Sequence, residues 1–237
     1  MPIYRLGPQP IFPPVDHAED GVLAVGGDLR PERLLVAYRS GIFPWYHEGL
    51  PILWHSPDPR AVLFTSELRV NRSLRKVLKR RTYEVSVDHA FDRVIAGCKQ
   101  ANRPGQEGTW ITDDMEHAYN RLHQDGHAHS VEVWHGDDLV GGLYGVALGQ
   151  MFFGESMFSR MDNASKVASV ALVETLTAWG YPVVDCQVLN EHTESLGAVE
   201  LARREYLALL QRQLALPGHP PPWRKDRFVP RAPDGEG

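Results

Sequence analysis

An α+β fold is expected for this 237-residue chain, and three observations carry that expectation. The first 60 residues are rich in Gly, Pro and Trp and read as irregular with a single helical pattern. Residues 129–154 read as consecutive strands joined by Gly-containing turns. An apolar stretch with helical period over 163–179 then leads into a Val-rich strand at 183–189. The expected division is a small N-terminal α+β domain over 1–65 and a larger C-terminal domain over 66–237, the boundary falling between 65 and 105.

The first helix rests on Pro31 in its first turn, on Leu34, Leu35 and Tyr38 at helical spacing, and on Gly41 as a C-terminal stop. Strands are expected at 61–64 and 83–87, with a basic helix over 71–81 between them. Helices follow at 89–100 and at 113–125, the second carrying Met115, Tyr119 and Leu122 on one face. Gly136-Asp137-Asp138 and Gly149-Gln150 separate strands at 129–134, 139–148 and 151–154. The helix at 163–179 opens near Asn163 or Ser165, both good N-caps. A last helix starts near 192, and from about 217 the Pro-rich tail is expected to be loosely ordered.

Composition narrows the class. Hydrophobic residues make up 43% and charged residues 23%, ordinary values for a soluble globular protein. No apolar run approaches the roughly 20 residues that span a bilayer, and the N-terminus lacks the apolar stretch of a secretory signal. Two cysteines, Cys98 and Cys186, make no disulfide framework and fit reduced thiols in a cytoplasm. The net charge of −5 argues against general affinity for nucleic acid. The cations are nonetheless unevenly spread: Arg72, Arg75, Lys76, Lys79, Arg80 and Arg81 fall within eleven residues. Such a cluster holds phosphates without reading bases, unless acidic neighbours neutralise it.

The strand at 183–190 concentrates the polar chemistry. Side chains alternate along a strand, so Asp185 and Gln187 are expected on one face, about 7 Å apart. Polar groups on an otherwise apolar strand need partners, either a structural network or a substrate. Glu155 lies where the strand at 151–154 ends. If the two strands are neighbours, Glu155, Asp185, Gln187 and Asn190 gather at one crevice, the usual place for a ligand in an open sheet. The structural alternative is a Glu155–Arg160 ion pair. Trp45 and Trp110, in Gly- and Pro-flanked loops, either line an apolar pocket or stack on bases, or else plug a domain interface.

Other chemistries find little support. His127 and His129 share a strand face, but binding a metal would need a third nearby ligand of suitable geometry, and exposed or hydrogen-bonded histidines are the favoured reading. There is no His-Glu-x-x-His, no Cys-x-x-Cys, no P-loop ending after Gly26-Gly27-Asp28, and no Gly-x-Ser-x-Gly elbow. Cys186 alternates away from Asp185 and Gln187, as a core residue rather than a nucleophile.

Several long runs together resemble the bacterial leucyl/phenylalanyl-tRNA–protein transferase family. They are Gly-Gly-Asp-Leu at 26–29, Gly-Ile-Phe-Pro-Trp at 41–45 and Trp-x-Ser-Pro-Asp-Pro-Arg at 54–60. Glu-Gly-Thr-Trp-Ile-Thr at 107–112 and Gly-His-Ala-His-Ser-x-Glu-x-Trp at 126–134 follow. Gly-Glu-Ser-Met-Phe-Ser-Arg at 154–160, Asp-Cys-Gln-Val-Leu-Asn at 185–190 and His-Thr-x-Ser-Leu-Gly-Ala at 192–198 complete the set.

The resemblance implies an N-terminal α+β domain and a GNAT-like (acetyltransferase-like) C-terminal domain. It implies transfer of Leu or Phe, and less readily Met, from aminoacyl-tRNA to proteins with N-terminal Arg or Lys. The product is a degradation signal of the N-end rule pathway, and no metal or nucleotide cofactor is implied. It places Trp45, Trp110, Leu143, Phe152 and Glu155 in the amino-acid pocket, Asp185 and Gln187 as the catalytic pair, and Asn190 beside them. Leu143 stands where the family often has Met. Leu172 is the nearest candidate for a further, usually aromatic, pocket position, and is not counted among the pocket residues.

In this reading Asp185 orients Gln187, Gln187 aligns the incoming amine, and Asp185 or the ribose hydroxyl beside the ester handles the proton. Glu155 is the candidate for meeting the acceptor's cationic side chain, and the basic helix, Arg72 to Arg81, for the tRNA acceptor stem. Two alternatives compete. An acetyl-CoA-dependent N-acetyltransferase shares the strand–helix–strand pattern, but its pyrophosphate loop needs glycines that 158–165 lacks. A non-catalytic tRNA-binding module leaves Asp185 beside Gln187 unexplained.

Overall fold

The computed structural model describes residues 3–101 and 110–231. Residues 107–109, part of one family-like run, lie outside the described residues. The elements are β1 (Tyr4–Leu6), β2 (Val22–Gly26), α1 (Pro31–Arg39), β3 (Phe43–Pro44), β4 (Leu53–His55), β5 (Arg60–Phe64) and α2 (Arg72–Arg80). Next come β6 (Glu84–Val87), α3 (Phe91–Gln100), α4 (Asp113–Gln124), β7 (Ala128–His135), β8 (Asp138–Leu148) and β9 (Met151–Ser159). The chain continues through α5 (Ala164–Ala178), β10 (Val183–Gln187), α6 (Glu191–Ser195), β11 (Val199–Leu201), α7 (Arg203–Leu214) and β12 (Lys225–Phe228).

The α+β class is what the structure shows. Four short strands form a sheet in the order β1-β2-β4-β3, and eight form a second in the order β11-β5-β10-β9-β8-β7-β6-β12. The smaller sheet therefore closes by residue 55, and β5 already belongs to the larger one. The antiparallel strands, helix, further strand and helix read from the sequence are β7, β8, β9, α5, β10 and α6 in that order. None of the helices among the described residues is long and apolar enough to cross a membrane.

Both faces of the larger sheet are covered, because successive strand residues point to opposite sides. Phe153, Tyr144, Val146 and Phe158 pack with α1, α3, α4, α7 and the small sheet. Leu143, Phe152, Val131 and Val184 pack on the other face against α5 and α2. Leu74 and Leu78 give the basic helix its apolar stripe, and Asn71 caps it by accepting the Leu74 N–H at 2.9 Å.

Five expectations need correction. The first 60 residues, read as irregular but for one helix, also hold β1 to β4, because those short strands are held by pairing between distant segments that no local pattern reports. The strand read as 151–154 runs on to Ser159, so Glu155 is a mid-strand residue. The helix read from 192 is three elements, α6, β11 and α7, because Gly197 turns the chain at φ 100 where a Cβ would lie 2.6 Å from the Glu67 carbonyl oxygen. Asn163 does not cap α5: it is left-handed at φ 65, and Ser159 Oγ accepts the Ser165 N–H instead at 3.2 Å. The tail beyond 217 is ordered through its described part. β12 pairs with β6, and buried Trp223 stacks on His129 with ring centroids 3.8 Å apart and packs edge-on against Trp179 and Tyr181.

That seam makes a testable statement. Replacing Trp223 by Ala should cost about 3–5 kcal/mol, the usual loss for a buried Trp, read as a lower urea midpoint. A variant within 0.5 kcal/mol of wild type, roughly the scatter of surface changes, would show that the tail is not part of the core.

Candidate active site

β9 and β10 run parallel and pair from Val183 opposite Met151 to Asp185 opposite Phe153. There the pairing ends while β9 continues, and the sheet opens. Two local irregularities aim side chains into the gap. On β9, Gly154 pairs with Gly145 and Ser156 with Tyr144, which leaves Glu155 as the extra residue of a β-bulge. On β10, the register against β5 shifts between Asp185 and Gln187, and Gln187 sits at φ 64. The Asp185 Oδ1 accepts the Gln187 backbone N–H at 2.9 Å. That turn, closed by an Asp side chain two residues back, offsets the cost of a left-handed non-glycine residue.

The gap is a cleft of about 360 Å³. Leu63, Leu143, Met157, Leu172, Val173, Val184 and Leu196 give it apolar walls. Glu155, Gln187, Asn190 and His192 make it polar elsewhere, and Phe43 of β3 reaches it together with Trp45 and Trp110 from loops. Trp45 stands at the rim, 37% exposed, and Trp110 is buried. The two loops are tied together by Tyr46, whose hydroxyl hydrogen-bonds Thr112 Oγ1 at 3.1 Å. Thr112 also caps α4 by accepting the Met115 N–H.

Asp185 is not on the cleft wall. Its carboxylate is fully buried on the other side of the strand, where it accepts from Arg60 Nε at 2.9 Å, Arg60 Nη2 at 2.8 Å and the Tyr206 hydroxyl at 2.7 Å. Arg60 is buried too, gives Nη1 to the Gly41 carbonyl at 3.1 Å, and lies between the rings of Phe43 and Tyr206 at 4.7 and 4.8 Å. The shared face expected for Asp185 and Gln187 fails because the irregularity between them breaks the alternation. For the same reason Cys186, expected in the core, lines the cleft beside Gln187. Burial pushes its thiol up to about 12, so it presents a neutral wall.

Glu155 is the only carboxylate lining the cleft among the described residues. Its Oε2 accepts from the Tyr119 hydroxyl at 2.9 Å and its Oε1 from Gln187 Nε2 at 2.8 Å. Tyr38 stands behind, bonded to the Tyr119 hydroxyl. Burial pushes the Glu155 carboxyl up to about 7; the hydroxyls of Tyr38 and Tyr119 pull it down, and the Asp185 charge adds to the rise. The alternative ion pair does not form: Arg160 lies over the Phe158 ring and donates to the Leu139 carbonyl.

Other expected residues divide similarly. Asn190 lines the cleft and also caps α6, accepting the Thr193 N–H at 3.0 Å. Phe152 is buried in the α5-side core and does not reach the cleft, whereas Leu172, set aside on sequence, does. His129 is held by Asp88 at 2.7 Å, and no cluster of three or more metal-binding side chains occurs among the described residues. The cations of α2 stand outside the cleft. No acidic side chain pairs with Arg72, Lys76, Lys79, Arg80 or Arg81 among the described residues, and Arg75 donates to the Val70 carbonyl at 3.0 Å. The segment leading into α2 adjoins the cleft wall, since the Arg69 N–H bonds the Leu196 carbonyl at 2.8 Å. Sequence reasoning missed Arg60 and Tyr206 and read Tyr38 and Tyr119 only as marks of helical spacing; their partners are far away in the chain.

Two family models match. Residues 62–211 fit "Leucyl/phenylalanyl-tRNA protein transferase" and residues 27–58 fit its N-terminal domain. Among curated relatives, a protein of Syntrophobacter fumaroxidans is 53% identical over 98% of this chain and all of its own length. One of Myxococcus xanthus is 55% identical over 94% of this chain and 97% of its own. Both bear the name leucyl/phenylalanyl-tRNA–protein transferase.

The Arg60–Asp185 pair sets a stability test. Arg60→Met should cost about 3–5 kcal/mol, because Asp185 is left as an uncompensated buried charge. Arg60→Met with Asp185→Leu should be less destabilised than the single variant. Urea unfolding reads both, and a double variant worse than Arg60→Met would contradict the assignment.

Proposed function

The chain belongs to the leucyl/phenylalanyl-tRNA protein transferase family, and from that premise we propose that it moves Leu or Phe, and less readily Met, from aminoacyl-tRNA onto the α-amine of proteins whose N-terminal residue is Arg or Lys. The new peptide bond marks the acceptor for degradation by the N-end rule pathway in the cytoplasm. The observation that carries this reading is the cleft: apolar walls with one buried-edge carboxylate and one carboxamide at its polar side. Leu and Phe bring no polar group to satisfy, so Leu143, Met157, Leu172 and Val173 suffice to receive either. Exclusion of Val and Ile rests on shape, worth only about 1–3 kcal/mol per methylene.

The chemistry asks little of the protein. The donor is an activated ester, aminolysis runs downhill, and positioning supplies most of the acceleration. An α-amine titrates near 8, roughly, so a fraction is already neutral at pH 7. Gln187 Oε1 has no hydrogen-bond partner among the described residues and is free to receive an amine N–H. Asp185 acts at one remove, holding the Gln187 backbone. Glu155 supplies the negative charge that favours a cationic acceptor terminus. The exposed cations of α2 take the acceptor-stem phosphates, next to the wall that Leu196 shares with the cleft.

Radiolabelled Phe-tRNA mixed with the protein and an Arg-starting model protein should give label in acid-insoluble protein, and none with a Gly-starting acceptor. Label absent from both would refute the reading. Lys76→Glu, Lys79→Glu and Arg80→Glu together should raise KM for Phe-tRNA and flatten its salt dependence by about one logarithmic unit per lost phosphate contact. A short Phe-adenosine donor should be little affected; equal losses with both donors would remove α2 from the tRNA path.

A further inference from the structure

Two carboxylates lie near Gln187, and they differ in what they have left to give. An ionised carboxylate offers about four lone-pair sites. Asp185 has filled four, with Arg60 Nε, Arg60 Nη2, the Tyr206 hydroxyl and the Gln187 N–H. It is also sealed from the cleft. Glu155 has filled three at most, with Tyr119, Gln187 and the Tyr38 hydroxyl behind them, and it lies on the cleft wall. Gln187 donates its Nε2 to Glu155, so its Oε1 and the open side of the Glu155 carboxylate face the same reaction space. An amine placed there meets both acceptors at once.

We propose that Glu155, and not Asp185, accepts the proton released by the attacking α-amine, with Gln187 holding a second N–H of that amine. The inference rests on the transfer reading above and assigns its proton path. The amine lone pair forms the C–N bond at the ester carbonyl, and an N–H proton goes to the Glu155 carboxylate. The bond from that carbonyl to the ribose oxygen breaks, and the departing oxygen takes the proton from Glu155, which returns to its starting state. Asp185 is a positioning residue.

The surroundings suit the task. Tyr38 of α1 and Tyr119 of α4 face Glu155, with Tyr144 of β8 packed edge-on against Tyr119, and the Tyr38 and Tyr119 hydroxyls are pushed far above their ordinary value by burial, so they stay protonated as donors. From β10 comes the Asp185 charge, countered by Arg60 of β5. Held up to about 7 by burial, Glu155 is matched to an amine near 8, roughly, at working pH.

The test is the pH profile of single-turnover transfer from Phe-adenosine to an Arg-starting peptide, saturating in the peptide. Wild type should show two inflections, near 7 for Glu155 and near 8, roughly, for the amine. Glu155→Gln should lose the lower one and about 10²–10⁴ in rate, the range of general base catalysis, with an unchanged melting temperature. Asp185→Asn should keep the lower inflection whatever its rate. Tyr119→Phe removes a donor to the carboxylate and should move that inflection upward. The proposal is overturned if Glu155→Gln keeps the lower inflection, if Asp185→Asn abolishes it, or if it appears in kcat/KM but not in kcat, which would make Glu155 a binding group only. Absence of any wild-type transfer strikes the transfer reading itself, a result distinct from all of these.

Discussion

The bidentate pair of Arg60 and Asp185 is the interaction around which the site is assembled. Its four hydrogen bonds to Asp185 and the Gly41 carbonyl bond join β5, β10, α7 and the turn after α1. An ion pair with both partners buried is costly to desolvate, and the compensation here is complete saturation: two Arg donors, a Tyr hydroxyl and a backbone N–H on one carboxylate, two rings against the guanidinium. The backbone N–H is the link to function. By holding residue 187 in a left-handed conformation, Asp185 turns the Gln187 side chain out of the strand alternation and toward Glu155.

A second constraint is the opening of the sheet. Parallel pairing of β9 with β10 stops at Asp185, and the bulge on β9 puts Glu155 into the gap instead of into either core. The cleft therefore exists because the backbone separates there, and its polar groups sit where each strand is irregular. Bulges re-aim side chains without disturbing the rest of the ladder. Glu155 and Gln187 become neighbours by this route although 32 positions separate them. Burial then raises the Glu155 carboxyl into the range where it exchanges protons near neutrality, while Asp185 is spent on structure.

Much of the architecture was legible locally. Pro31 and Gly41 bracket α1, Asn71 caps α2, and Gly136 and Gly149 mark the hairpins of β7, β8 and β9. These features depend on contacts within a few residues, which patterns of period 2 and 3.6 report well. The misreadings have physical causes of their own. β12 looked like a loose Pro-rich tail because its order comes from Trp223 packing on His129, Trp179 and Tyr181. Tyr38 and Tyr119 marked helical spacing only; nothing in their helices shows that they are buried or that their hydroxyls meet each other and Glu155.

By itself the sequence determined the order of elements from β5 to β10, the family-like runs and the residue types at the site: Glu155, Asp185 and Gln187 among apolar neighbours, with a basic helix elsewhere. The tertiary structure decided which carboxylate is free. Arg60 and Asp185 lie 125 positions apart, so no local pattern announces their pairing. Strand alternation put Asp185 and Gln187 on one face, and a single irregular residue reversed that placement. Which side chain points at a substrate is set by backbone register and long-range pairing, and both are settled only when the whole sheet has formed.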